Sequence, residues 1–523
     1  MKPESGPGRN LSTKQKLAII LVAGVVLRLA LAPFFSFNID LTYWMKVFNL
    51  IDGGYNLYGM DGYYYAPVWG YVLGSMDMLA HLLGITDYGT LVPEMYPYVD
   101  QDYVISEYVT SVKFNFIVKI PLILTDLAIG WLLFSFVKRI TGDERKAIIA
   151  CLLWMFCPLT VLESSVHAMF DNISAMFMLM AFIAAYDRKY VLAGCVYSLA
   201  ILTKFFPVFF IFFMIAMVFR NEGIHLKAFT KCAIAIAASF ITMIVIEIPA
   251  IIKGQFWDSL QFLLSRIGLS ASFMDSIMGP LAYVLVAVAV AALCWFVYYL
   301  CRIRPDIVRK AFLDISDEER ERRVRKAGLI AAIVVTILIL AYSVLMAILE
   351  GSFDIVSAFE MFGKRIVLLL SAYTMILEAY VAYRFLYSKE TGDKPLMTGF
   401  MLSAALIFLW PPSPQYVVVI VPALILYAVT VRDRFVRPLI FLTSAMALYD
   451  IILAGPTTIM SLAVYTDILS LSAIMPMVEA ITSYIGPIPV IAPFMAVFGG
   501  LAYVSLLNIL YYWYTHRRVA DES

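Results

Sequence analysis

The residues able to do chemistry in this chain are few, and they stand at the ends of apolar segments. Asp40 lies in "SFNIDLTYW", just past the first long apolar run, and the aromatic run "YYYAPVW", with Tyr65, comes soon after. A carboxylate within a few residues of a rigid helix end can be held in fixed geometry, as a general base must be. The same aspartate also suits the N-cap of a helix beginning in "NIDLTYW". In "VHAMFDN", His167 and Asp171 are four residues apart and share a face if the helix is continuous. Alternatively Asp171 caps the next helix and His167 is an interfacial histidine. Lys204, in "LTKFFP", is an ammonium at the end of an apolar segment. A membrane-embedded lysine is costly and marks function unless it snorkels to the surface. Arg266, Lys364 and Arg365 are further cations on the same expected face, with Glu360 a ready partner for Lys364. In "WPPSPQYVVV" three prolines end one helix and open the next. Gln415 and Tyr416 then sit at a helix N-terminus, whose free N–H groups suit an anion or a sugar hydroxyl, or the stretch is a plain proline turn.

The elements that must position these residues are membrane helices. The 523 residues are 62% hydrophobic and 15% charged, with mean hydropathy +0.85, whereas soluble chains carry about 25% charged residues. Net charge is +1 and no basic stripe appears outside short loops, which argues against a nucleic-acid partner. The six cysteines lie in or beside apolar segments with no CxxC, and read as small core residues. No zinc-protease, serine-hydrolase, P-loop or dinucleotide motif is present, and the four histidines are far apart.

The expected fold is an all-α polytopic membrane domain over 1–523, with about fourteen transmembrane segments. They run over Leu17–Phe35, Phe114–Phe136, Ala147–Ser165, Ile173–Tyr186, Leu192–Lys204, Pro207–Phe219, Ala228–Ile251, Leu281–Cys301, Ala327–Leu349, Ile366–Leu386, Leu396–Trp410, Tyr416–Val431, Pro438–Ala454 and Val490–Tyr514. The apolar run after the polar lead-in 1–16 is too long for a signal sequence and reads as the first span. With both termini cytoplasmic, 30 of the 39 Lys and Arg fall on the inner side, including the charged loop 302–326. Making either of the apolar stretches 63–85 and 465–486 a full span would invert that distribution. Both therefore read as amphipathic segments on the outer face, the first within a large, acidic, tyrosine-rich loop over 36–113.

An enzyme acting on that face has no nucleotide sugar or ATP at hand, so the transferred group must arrive on a lipid. A polyprenyl-phosphate sugar meets this requirement. Its phosphate leaving group needs cations more than a proton donor, and the acceptor hydroxyl needs one base. Asp40 is the expected base. Lys204, Arg266, Lys364 and Arg365 are the expected phosphate side, and direct displacement would invert the anomeric carbon.

Three passages resemble the polytopic GT-C glycosyltransferases. "NIDLTYWMKVFNLIDGGYNLYGMDGYYYAPVWGYVL" resembles their first outer loop, "HAMFDNISAMFMLMAFIAAYDRKYVLAGCVYSLAILTKFFPVFF" their "H.QFD…AG…K.yP" block, and "SPQYVVVIVPAL" their "QY…..P" helix start. The first loop is most similar to the GPI-anchor mannosyltransferase I and to polyprenyl-phosphate-mannose enzymes. The resemblance implies a mannose donor on polyprenyl or dolichyl phosphate, a glycolipid or glycan acceptor, Asp40 as base, Lys204 on the donor side, and His167 and Asp171 lining the site. It implies no metal and no cofactor. The chain departs from the pattern at Asn38-Ile39-Asp40, where the GPI enzymes have a DxD, and at Met169, where a Gln is usual. The competing expectations are a multi-pass transporter or lipid-linked-sugar flippase, for which Glu378 within a span is the best residue, and a non-catalytic assembly subunit in which Asp40 would be dispensable.

Overall fold

A computed structural model describes residues 11–59, 63, 65–95, 107–259, 315–349, 362–363, 365–407 and 414–484. The expected spans at 281–301 and 490–514, together with Arg266, Glu360 and Lys364, lie outside them. The other twelve expected segments are helical. In chain order the helices are α1 (Thr13–Leu31), α2 (Asn38–Asp52), α3 (Pro67–Leu82), α4 (Val112–Thr141), α5 (Glu144–Met155), α6 (Pro158–Leu162), α7 (Asp171–Tyr186), α8 (Tyr190–Ile201), α9 (Ile211–Glu222) and α10 (Leu226–Ile252). They continue with α11 (Asp317–Leu349), α12 (Ile366–Leu386), α13 (Lys394–Leu406), α14 (Pro414–Thr430), α15 (Val436–Ala454), α16 (Met460–Tyr465) and α17 (Leu471–Tyr484).

Five of these helices carry stretches long and apolar enough to cross a membrane: α4, α10, α11, α12 and α15. A sixth arises if α5 and the segment Pro158–His167, bent by 46° between them, form one broken span. This fits a multi-pass membrane protein. At 1.5 Å rise per residue, the 16 residues of α7 and 12 of α8 reach only about 24 and 18 Å, short of the roughly 30 Å hydrocarbon core. The all-α expectation also needs correcting within 36–113. There β1 (Gly89–Leu91) and β2 (Tyr108–Thr110) form an antiparallel pair, with Thr90 opposite Val109.

Local chemistry sets several boundaries. Gly142, at φ +68°, ends α4, and the Asp143 side chain accepts hydrogen bonds from the backbone N–H groups of Arg145 and Lys146 to open α5. Gly194 lets α8 lie directly on α10, since a β-carbon there would stand 2.1 Å from the Ala235 carbonyl oxygen. An aromatic core of Trp44, Trp69, Phe114 and Phe170 joins α2 and α3 to α4 and the start of α7. In it Trp69 and Phe170 stack at 4.9 Å. Within the stretch 465–486, Ile474 and Val478 of α17 share a small core with Val92, Met95 and Val109 of the 36–113 region; no described residue of 63–85 belongs to that core.

Three buried charges near α1 and α4 are tied down. Arg28 of α1 is fully buried, its Nε 2.7 Å from Asp126 Oδ2 of α4. It also donates to the carbonyl of Met155 at the end of α5 and to Thr160 Oγ1 of α6. Asn172 of α7 donates to the other Asp126 oxygen. Lys119 of α4 donates to the carbonyl oxygens of Ala32 and Phe35, at 2.8 and 2.5 Å, and so pins the connector between α1 and α2. Arg28→Met would strand a buried Asp126 and should cost about 3–5 kcal/mol. The double variant Arg28→Met/Asp126→Leu should recover most of that loss. Thermal unfolding in detergent checks this, and a single variant as stable as the parent would show that the pair does not brace the bundle.

Candidate active site

The carboxylate singled out in the sequence stands in the first turn of α2, but not as its cap. Phe37 holds the N-cap position, without a side-chain hydrogen bond. The chain is led there by fixed points: Ser36 N–H donates to the Thr458 carbonyl, Phe37 N–H to the Val166 carbonyl, and Asn38 Nδ2 to the Tyr108 carbonyl of β2. Asp40 is thereby freed from capping and faces a cavity of about 170 Å³. The other wall residues are Tyr65, Met169, Lys204, Phe205, Gln415 and Tyr416.

The wall residues come from the first turns of helices and from the breaks between elements. Lys204 follows the end of α8, where its N–H still donates to the Ala200 carbonyl. The Val68 N–H donates to the Leu202 carbonyl, which draws the segment around Tyr65 to the same place. Gln415 and Tyr416 open α14, as the proline pattern leads one to expect. The Lys204 side chain is 4% exposed, so it does not snorkel. Its Nζ lies 3.1 Å from Asp171 Oδ2, 4.2 Å from the Phe170 ring centre, and 5.3 and 5.6 Å from those of Tyr65 and Tyr416. A carboxylate and three aromatic faces thus fix the ammonium at the cavity wall.

Asp40 keeps partial access to the cavity while protein surrounds it. That burial pushes its carboxyl up to about 8. Lys204 pulls in the opposite direction, and the negative charges of Asp450 and Asp171 reinforce the rise. Asp40 is therefore protonated over much of the neutral range and becomes a competent base as pH rises through about 8.

His167 and Asp171 do not share a helix. A π-helical turn over Glu163–His167 ends at Ala168, whose φ of +58° breaks the path before α7 begins. Asp171 is the first residue of α7 and pairs with Lys204 without capping the helix through its side chain. His167 is not part of the cavity wall. It stacks on Phe37 at 4.8 Å, and its Nδ1 lies 3.1 Å from Asp450 Oδ2 and 3.9 Å from Glu163 Oε2. Arg365 is also absent from the wall; its guanidinium lies 5.3 Å from the Tyr342 ring centre. Arg266 and Lys364 fall outside the described residues. Glu163, Asp450, Lys119 and the Arg28–Asp126 pair were not singled out from the sequence. Their signal was present all the same, since each is an ionisable residue within an apolar segment. A wider hollow of about 580 Å³ beside Arg188, Tyr190 and Lys231 is open, and its Lys231 is already paired with Glu222 at 2.5 Å. The smaller cavity is where a base and a cation converge.

No protein-family model matches this chain, and no curated protein matches it in sequence.

Infrared titration tests the electrostatics directly. A protonated-carboxyl band should vanish as pH rises through about 8 and be missing from Asp40→Asn. Lys204→Met removes the favourable charge and should move the midpoint higher. A midpoint unmoved by Lys204→Met would mean that the ammonium does not act on Asp40.

Proposed function

We propose that this chain is an inverting glycosyltransferase that moves a hexose, mannose by the motif resemblance, from a polyprenyl-phosphate or dolichyl-phosphate donor to a glycolipid or glycan acceptor. The proposal includes a GT-C-type membrane domain of about fourteen spans, with both termini cytoplasmic and the cavity on the outer or luminal face. One observation carries the reading. Asp40 and Lys204, far apart in the chain, line one cavity together with Tyr65, Gln415 and Tyr416.

In this reaction the Asp40 carboxylate takes the proton of the acceptor hydroxyl. The acceptor oxygen attacks the anomeric carbon from the face opposite the phosphate, and the carbon–oxygen bond to phosphate breaks with its electron pair leaving on the phosphate. Lys204 offsets the charge gathering on that leaving group. Asp171 keeps the ammonium in position until the phosphate arrives. Tyr65 and Tyr416 give flat, partly polar surfaces for a sugar ring, and the Gln415 amide at the start of α14 offers both a donor and an acceptor to its hydroxyls.

The test uses the purified chain with synthetic polyprenyl-phosphate mannose and a membrane lipid extract, products being read by mass spectrometry and linkage stereochemistry. Asp40→Asn should lower transfer by about 10²- to 10⁴-fold at unchanged protein yield. The parent rate should climb with pH through about 8, because the base works only when ionised. Undiminished transfer by Asp40→Asn, or a product that keeps the donor's anomeric configuration, would refute the assignment.

Transport is the second reading, favoured by Glu378, which is 0% exposed near the middle of α12. Neither of its oxygens has a hydrogen-bond partner of good geometry among the described residues. A buried carboxyl in a span is a natural ion or proton site. Movement of lipid-linked sugar across proteoliposomes without a new glycosidic bond, abolished by Glu378→Gln, would favour it.

A further inference from the structure

A second polar cluster adjoins the cavity without lining it. Glu163 and His167 stand one turn apart on the π-helical segment and face Asp450 of α15. We propose that Glu163, His167 and Asp450 form a binding site for one divalent transition-metal cation. The proposal stands independently of the glycosyl-transfer reading.

Donor geometry is the first support. One oxygen of each carboxyl and a ring nitrogen of His167 lie within 4.8 Å of one another. Ligand atoms about 2.1 Å from a tetrahedral metal stand about 3.4 Å apart. The separations from His167 Nδ1, 3.1 Å to Asp450 and 3.9 Å to Glu163, lie on either side of that value. Stacking on Phe37 holds the ring in this orientation.

Unmet charge is the second. Glu163 is 1% exposed, and among the described residues its oxygens meet no N–H donor in hydrogen-bonding geometry, only the neighbouring Asp450 carboxyl. The Asp450 carboxyl lies against Glu163, and the imidazole Nδ1 stands 3.1 Å from Asp450 Oδ2, so that two buried carboxyls share one ring nitrogen. Among the described residues no lysine or arginine forms an ion pair with either carboxylate. The Asp171 carboxylate, already paired with Lys204, is also within electrostatic reach of Glu163. Buried carboxyls in this state need a cation or shared protons. One imidazole nitrogen with two carboxylate oxygens suits Mn²⁺, Fe²⁺ or Zn²⁺, whereas Mg²⁺ and Ca²⁺ prefer oxygen alone.

The probe is Mn²⁺, followed by electron paramagnetic resonance on the full chain in detergent. The expected result is one bound Mn²⁺ per chain with hyperfine coupling to a histidine nitrogen, displaced by Zn²⁺. Glu163→Gln and Asp450→Asn should each weaken binding by roughly tenfold or more. The cluster of Asp52, Asp77 and His81 offers the same donor types nearer the surface, so His81→Gln is the control and should leave the ion bound. A parent chain that binds no Mn²⁺, a bound ion without nitrogen coupling, or loss of the ion in His81→Gln would each overturn the site. The first two readings use the parent chain, so misfolding of a variant does not blunt the test. Bound Mn²⁺ in a chain that transfers no sugar would uphold the metal site and sink the glycosyltransferase.

Discussion

The guanidinium of Arg28 against the carboxylate of Asp126 is the interaction on which the arrangement of this molecule rests. Neither group reaches solvent, so each would be prohibitively costly without the other. Their remaining hydrogen-bonding capacity is spent on the ends of other elements: the Met155 carbonyl, Thr160 and Asn172. One ion pair therefore fixes how α1, α4, α5, α6 and α7 stand together. The cavity inherits that geometry. Asp40 hangs from α1 through a connector pinned by Lys119, and Asp171 is the immediate neighbour of Asn172.

The same rule, that a charge away from water must find a counter-charge or give up its proton, shapes the cavity itself. Lys204 is the cation in its wall and answers Asp171 directly. Asp40 is left with the field of that ammonium set against burial and two further carboxylates, so its proton is held near neutrality. A base for a hydroxyl group needs this balance. Too low a proton affinity makes a weak base, and too high an affinity leaves it protonated.

Aromatic packing converts these electrostatics into a shaped surface. Phe170 stacks on Trp69, presents an edge to Tyr65 and lies under the Lys204 ammonium. Through the Lys204 ammonium, which also lies over the Tyr416 ring, it links the α2–α3 region to the break after α8 and the start of α14. On the proposed reaction, the rings that hold the cation also flank the sugar, so substrate placement and charge placement cannot drift apart.

The sequence by itself determined that the chain is helical and apolar enough for a membrane, and it marked Asp40, Tyr65, Lys204, Gln415 and Tyr416 as residues out of keeping with neighbouring apolar segments. Hydrophobic runs and their breaks are local properties and can be read residue by residue. Only the tertiary structure decided which of those breaks meet. Arg28 and Asp126 are 98 residues apart, and His167 finds Asp450 on a helix that no local pattern connects to it. The four-residue spacing of His167 and Asp171 suggested one shared face, but a π-helical turn and the left-handed Ala168 separate them. One is sent to a buried carboxyl cluster and the other to Lys204. Lys204 itself was legible as an anomaly, whereas its confinement by Asp171, Phe170, Tyr65 and Tyr416 was not. Counter-charges in a low-dielectric interior are chosen by how helices pack across the whole chain, and that choice leaves no periodic trace along it.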